Sequence, residues 1–220
     1  MISRYHNPIG PEFSLINKDQ EMRFLGYKKK PLLLGLIGPT KSGKTLIAKY
    51  LVTEFDFRYE CLSIPLRILS NNIEAKDDWE SLSKFGVLVR KYESKDYLAI
   101  KVFEKIKNYW DENLFVVDGI FHPMEIEYLK RASNFVLWGL KTDQQLRIDN
   151  ATKWFGKDMK EDIKKRDQYE NLNCLPKNDY LPNLFRCYEL CDEFIEVENF
   201  DYQNLCIKIK DKVRFLINHS

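Results

Sequence analysis

The sequence is poor in the residues that build metal clusters and disulfide frameworks. It has only three histidines, His6, His122 and His219, and five cysteines, Cys61, Cys174, Cys187, Cys191 and Cys206, with no Cys-x-x-Cys pair. Zinc-ligand spacing cannot be assembled from such a set. An odd, dispersed cysteine complement suits reduced thiols. No apolar run approaches the length of about 20 residues needed to span a bilayer. The opening "MISRYHNPIGPEF" has no apolar segment after its early charge, so no secretory leader is expected and the cytoplasm is the expected compartment. Charge of one sign is also missing. With 35 Lys and Arg against 33 Asp and Glu, the net charge of +2 gives no bulk attraction to nucleic acid. No internal repeat or low-complexity tract is present.

What the chain does have is alternation. From Pro31, "LLLGLIG" is a continuous apolar run, as expected of a strand buried on both faces. "TLIAKYLVTEF" follows with helical spacing. "FRYECLSI" is expected as a second strand, and one long helical stretch is expected over roughly 78–110. "NLFVVDGI" reads as a third strand and "PMEIEYLKRA" as a short helix with Pro123 in its first turn. "NFVLWGL" is a fourth strand, helical segments fill about 142–190, "DEFIEVEN" is a fifth strand, and "YQNLCIKIKDKVRFLIN" closes the chain as an amphipathic helix. The pattern predicts an α/β protein with a mostly parallel sheet and helices on both faces. Residues 1–30 read as an N-terminal extension, and 31–220 as one domain with long helical insertions after the second and fourth strands.

Between the first strand and the first helix stands Gly38-Pro39-Thr40-Lys41-Ser42-Gly43-Lys44-Thr45. This is a complete phosphate-loop (P-loop) pattern, Gly-x4-Gly-Lys-Thr. Glycines let the backbone curl so that successive N–H groups face phosphate oxygens, and the following helix adds its N-terminal dipole. The expected nucleotide-binding residues are therefore Gly38, Lys41, Ser42, Gly43, Lys44 and Thr45. Lys44 is expected to bridge the outer phosphates and Thr45 to hold Mg²⁺, with ATP as the nucleotide. "FVVDG" ends a strand in Asp118, a carboxylate at the sheet edge where ligands sit in open α/β folds. Asp118 is the second expected Mg²⁺ residue and, with Lys44, an expected catalytic residue.

Phosphoryl transfer also needs cations that clamp an acceptor and neutralise developing charge, for which arginine forks are best suited. Arg67 follows the second strand and Arg90 lies in "FGVLVRKY"; both are expected on the acceptor side. Arg147 and Lys153 in "QQLRIDNATKW" fall in the insertion after the fourth strand and are expected in a lid, Arg147 as a catalytic group and Lys153 on the nucleotide. Arg166 and Arg186 are further arginines of that insertion. Of the aromatics Trp79, Phe85, Tyr97, Trp110, Trp138 and Trp154, most are expected in the core. Trp154 and Phe155 are the pair expected at the lid.

In order, "GLIGPTKSGKT", "LSIPLR", "FGVLVRKYESKDYLA", "VVDGIFHPMEIEYLK", "RDQYE" and "RCYELCDEFI" resemble the nucleoside monophosphate kinase group of P-loop proteins, which includes dephospho-CoA kinases and an archaeal set of nucleotide kinase-like proteins. The likeness is greater to the kinase-like domain that precedes the deaminase domain in some dCMP/dCTP deaminase-type proteins. It spans about 30–198. The resemblance implies a P-loop NTPase fold: a five-stranded parallel sheet, the Asp118 strand beside the P-loop strand, helices on both faces, and helical acceptor-binding and lid insertions. It implies that Arg67 and Arg90 approach the acceptor and that Arg147 belongs to the lid. The His-x-Glu and Pro-Cys-x-x-Cys elements of zinc deaminases are absent, so deaminase activity does not carry over.

The acceptor can be ranked by chemistry. An alcohol must lose a proton as it attacks, and dephospho-CoA kinases carry an aspartate near the end of the second strand where this chain has Ser63-Ile64-Pro65. A phosphate acceptor is largely ionised at neutral pH and needs no strong base. ATP- and Mg²⁺-dependent transfer to a nucleotide or deoxynucleotide monophosphate is the expected activity. A non-catalytic nucleotide-sensing module and a dephospho-CoA kinase-like activity are the alternatives, with Glu93 or Asp96 as possible bases for an alcohol. Partners expected are small molecules, neither nucleic acid nor membrane, and the oligomeric state cannot be read from the sequence.

Overall fold

The computed structural model describes residues 30–71, 78–109 and 114–219. The N-terminal extension up to residue 29 and Trp110 lie outside them. Five strands form one parallel sheet in the order β2-β3-β1-β4-β5. The strands are β1 (Leu32–Ile37), β2 (Arg58–Cys61), β3 (Leu114–Asp118), β4 (Asn134–Lys141) and β5 (Glu193–Glu196). The helices between them are α1 (Lys44–Phe55), α2 (Ser63–Asn71), α3 (Trp79–Tyr92), α4 (Tyr97–Lys107), α5 (Pro123–Ala132), α6 (Gln144–Phe155), α7 (Lys160–Tyr169) and α8 (Leu184–Glu189), and α9 (Tyr202–His219) closes the chain. Among the described residues, no helix is long and apolar enough to cross a membrane.

The apolar runs are continuous because both faces of the sheet are covered, and the two-residue period of a strand sorts each run between two cores. Leu33 and Ile37 of β1 join Phe115, Val117, Phe135 and Leu137 under α2, α3, α4, α5 and α8. Leu32, Leu34 and Leu36 join Val116, Trp138 and Leu140 on the other face, under α1 and α9. All six residues of β1 are buried. Both neighbours of β1 pair with it in parallel, β3 through Leu32↔Leu114 to Gly35↔Val117 and β4 through Leu32↔Asn134 to Ile37↔Gly139. The P-loop strand is therefore central, and the strand that ends in Asp118 lies beside it.

Two expected elements are shorter than the sequence pattern suggests. β2 ends at Cys61, and "SIPLR" is the start of α2. Pro65 supplies no N–H, which the first turn of a helix does not need, and the Leu62 N–H makes a last bond to the Asp118 carbonyl at 2.9 Å. Where one helix is expected over 78–110, the described residues form two, α3 and α4, divided at the polar "ESKD", where Glu93 takes φ −98°, ψ −95° and the Ser94 hydroxyl donates to Asp96 at 2.7 Å. The insertion after β4 contains α6, α7 and α8, with irregular chain between α7 and α8.

The turn after β3 is built by a neutral histidine. His122 is the N-cap of α5, with Pro123 at the first helical position. The Met124 N–H donates to His122 Nδ1 at 3.2 Å, so that nitrogen carries no proton, and His122 Nε2 donates to the Asp179 carbonyl at 2.8 Å. Burial lowers the His122 pKa below its usual value. A folded-state pKa below the unfolded value places the stabilising contribution above about pH 6.5, to be lost as pH falls through the lower folded value. We expect the unfolding free energy of the wild type to decline more between pH 7.5 and 5 than that of His122→Asn, whose cap does not titrate. Chemical denaturation at the two pH values measures it; equal declines would refute this role.

Candidate active site

β1 delivers the P-loop at the C-terminal edge of the sheet. Gly43 caps α1 at φ 103°, a conformation favouring glycine, and α1 has no acidic residue in its first turn. The loop is braced from within by the Ser42 N–H to Pro39 carbonyl bond at 3.1 Å, and from β4 by the Thr142 hydroxyl donating to the Ser42 carbonyl at 2.9 Å. Lys44 folds over its own loop, donating to the carbonyls of Gly38 at 2.7 Å and Pro39 at 3.1 Å. Its ammonium thus waits on ligands that a phosphate can replace. Lys41 sits at φ 64° with its ammonium 4.2 Å from the ring centroid of Phe155, and burial, then the nearby Arg166, lower its pKa.

Asp118 ends β3 and is buried. One carboxylate oxygen accepts from the Gly119 N–H at 2.6 Å. Gly119 turns the chain at φ 78°, where a Cβ would stand 3.0 Å from Cys61 Sγ. The donor set suits Mg²⁺: Thr45 offers a hard hydroxyl oxygen on the first turn of α1, and Asp118 a carboxylate at the end of the adjacent strand. Among the described residues no group of three His, Cys, Asp or Glu could hold a metal by itself. A Mg²⁺ that keeps phosphate and water ligands needs no such cage.

Beside the loop opens a pocket of about 390 Å³, lined on its polar side by Thr40, Arg67, Arg90, Arg166 and Glu170, and on its apolar side by Leu62, Leu66, Trp79, Leu82 and Leu98. Arg67 and Arg90, expected on the acceptor side, thus meet in one cavity next to the P-loop. Arg67 lies at the middle of α2. Arg90, on α3, is buried and shares its charge with Glu125, donating from Nη2 at 2.9 Å and Nε at 3.3 Å. The same carboxylate accepts the N–H groups of Phe121 and His122, so it ties the Arg90 wall to the turn after Asp118.

Arg147 takes a different place from the expected lid position. It is buried behind the P-loop, donates to both oxygens of Asp167 on α7 at 2.9 and 2.7 Å, and gives a further bond to the Thr40 carbonyl at 2.9 Å. It does not line the pocket. A guanidinium beside a buried carboxylate finds its best partner there, and sequence position alone does not reveal it. Lys153 is exposed on α6, and among the described residues no hydrogen bond or ion pair joins it to the loop. Trp154 is 82% exposed on the same helix, whereas Trp138 belongs to the core.

"RDQYE", named in the sequence for its arginine and its resemblance but given no role there, supplies several residues of the site. Arg166 enters the pocket wall, lies 4.7 Å over the Trp79 ring and is 3.1 Å from Asp162. Asp167 holds Arg147. Tyr169 meets Trp79 edge to face and donates to the Ser83 carbonyl at 2.7 Å, closing α7 onto α3. Glu170, 3% exposed, accepts from the Thr40 hydroxyl at 2.8 Å and the Thr40 N–H at 3.3 Å. Burial raises its pKa, and the field of Lys44 pulls it back down. The pocket therefore contains a carboxylate, which neither Glu93 nor Asp96 supplies. The helical spacing of Arg166, Asp167 and Glu170 was the available signal.

No known protein-family profile matches the chain, and no curated protein sequence matches it. Solved structures do. A gluconokinase from Sinorhizobium meliloti 1021 is similar over 86% of this chain and 96% of its own, with a TM-score of 0.50 at 10% identity. An uncharacterized protein from Eubacterium ventriosum ATCC 27560 is similar over 84% of this chain and 99% of its own, with a TM-score of 0.50 at 16% identity. The chain shares the P-loop α/β fold with these structures. At these identities the likeness speaks for the fold alone.

Breaking the Arg147–Asp167 pair leaves a buried charge without its partner. Asp167→Asn is expected to cost about 3–5 kcal/mol of unfolding free energy. Urea denaturation measures it, and a loss under about 1 kcal/mol would show that the pair does not hold the loop.

Proposed function

We propose that this chain is an ATP- and Mg²⁺-dependent phosphotransferase whose acceptor is a nucleoside or deoxynucleoside monophosphate, of the kind phosphorylated by the kinase-like group its motifs resemble. The observation that carries this reading is the pocket joined to the P-loop at Thr40, in which Arg67, Arg90 and Arg166 face the same space as an aromatic and aliphatic wall. Arginine forks suit a phosphate, and Trp79 with the leucines suits a base. A volume of about 390 Å³ lies in the range of small-ligand sites.

In this reading the loop amides and Lys44 hold the donor phosphates and keep them in line with the acceptor. Thr45 and Asp118 would hold Mg²⁺, which when bound neutralises charge on the phosphate oxygens. Arg67 and Arg166 orient the acceptor, Arg90 positions that wall through Glu125, and Arg147 positions the loop from behind. Lys153 and Trp154 stay on the exposed face of α6. The Glu170 carboxylate favours a second reading, transfer to a hydroxyl acceptor, dephospho-CoA included, because a base is then present in the pocket. A nucleotide sensor is the third possibility and differs in giving binding without turnover.

An acceptor screen with labelled ATP separates these. We expect ADP formation only with one class of monophosphate, and a fall of at least about 100-fold in kcat/KM for Lys44→Ala. Arg67→Ala should raise the acceptor KM about tenfold with the ATP KM little changed. Transfer to alcohols alone selects the second reading, and nucleotide binding without any transfer selects the sensor.

A further inference from the structure

Glu170 places a negative charge on the one part of the P-loop that faces the acceptor. Thr40 belongs both to the loop and to the acceptor pocket. On the reading of this loop as a triphosphate site, the phosphate to be transferred must lie at that junction, so the Thr40 N–H and hydroxyl are its donors. Both are already taken by the Glu170 carboxylate, at 3.3 and 2.8 Å. This carboxylate is 3% exposed and cannot swing into bulk water without moving the end of α7 or the chain after it. Its backbone is fixed too: its N–H donates to the Arg166 carbonyl at 2.8 Å, and its carbonyl accepts from Leu184 at 3.0 Å.

We infer that Glu170 is a built-in anion that competes with the terminal phosphate of ATP for the Thr40 donors and so sets the preference of the site between ATP and ADP. Two anions cannot share those donors without repulsion, whereas ADP leaves them to Glu170. Several charged and titratable groups surround the carboxylate: Lys44 from α1, Asp167 from its own helix, Tyr188 from α8, and Arg67, Arg90 and Arg166 in the pocket. Lys44 and the arginines favour either anion, so they do not distinguish Glu170 from a phosphate. Burial raises the Glu170 pKa, which fits a carboxylate held where its charge is costly. The consequence is a loop that ATP occupies fully only once Glu170 has given up Thr40, whereas ADP binds without that step.

Isothermal titration of the full chain with ADP and with the β,γ-imido analogue of ATP, both with Mg²⁺, tests this in wild type, Glu170→Gln and Glu170→Ala. We expect both variants to bind the triphosphate at least about tenfold more tightly, while ADP affinity moves by less than about threefold. Thermal unfolding of each variant shows that it is folded. Equal changes for the two nucleotides, or weaker triphosphate binding, would overturn the inference and leave Glu170 as a brace of the loop. That result would leave the phosphotransferase reading standing. Absence of binding of either nucleotide to wild type and variants would contradict that reading, and this one with it.

Discussion

Thr40 is held from both sides by two paired helices, α6 and α7. Asp167 on α7 orients Arg147, whose guanidinium reaches the Thr40 carbonyl, and Glu170 at the C-terminal end of the same helix takes the Thr40 N–H and hydroxyl. A P-loop is a length of chain whose N–H groups must face inward without neighbouring strands to fix them. Here the fixing comes from the insertion after β4. That insertion also supplies Arg166 and Tyr169 to the pocket beside the loop, so the shape of the loop and the shape of the pocket depend on the same turn of α7.

The remaining parts follow from that arrangement. The central position of β1 puts the loop between the Asp118 edge on one side and Thr142 on the other. α3 is drawn onto α7 by Tyr169 and Trp79, and by Lys165 donating to Glu80 at 2.9 Å. The last contact is exposed and contributes little, whereas the aromatic pair excludes water from the pocket wall. The buried Arg90–Glu125 pair then links α3 to the turn after β3, so that three elements far apart in sequence close around one space.

Much of this was legible in the sequence because it is local. The P-loop, the strand ending in Asp118 and the order of strands and helices each rest on neighbouring residues whose spacing has a physical meaning. Arg67 and Arg90 are expected on the acceptor side, and both line the pocket beside the P-loop. Arg147 was legible as a charge but not as half of a pair, since Asp167 lies 20 residues on and nothing local marks it as a partner. Glu170 lies 130 residues from Thr40, a contact that exists only after the sheet has formed. The missing carboxylate after β2 does not leave the pocket without one, because a pocket can take its acid from any element that reaches it, here Glu170. The division of 78–110 at "ESKD" was hidden by flanking helices with like periodicity.

If donor and acceptor adjoin across Thr40, one molecule should fill both sites. Two nucleosides joined by five phosphates present the triphosphate and the monophosphate together. Titration of the wild-type chain with a set of such compounds, differing in the second base, should give at least one that binds about 100-fold more tightly than ATP, because the second site adds its contacts at little further entropic cost. Binding of every compound in the set no tighter than ATP itself would contradict a pocket built for a nucleotide acceptor.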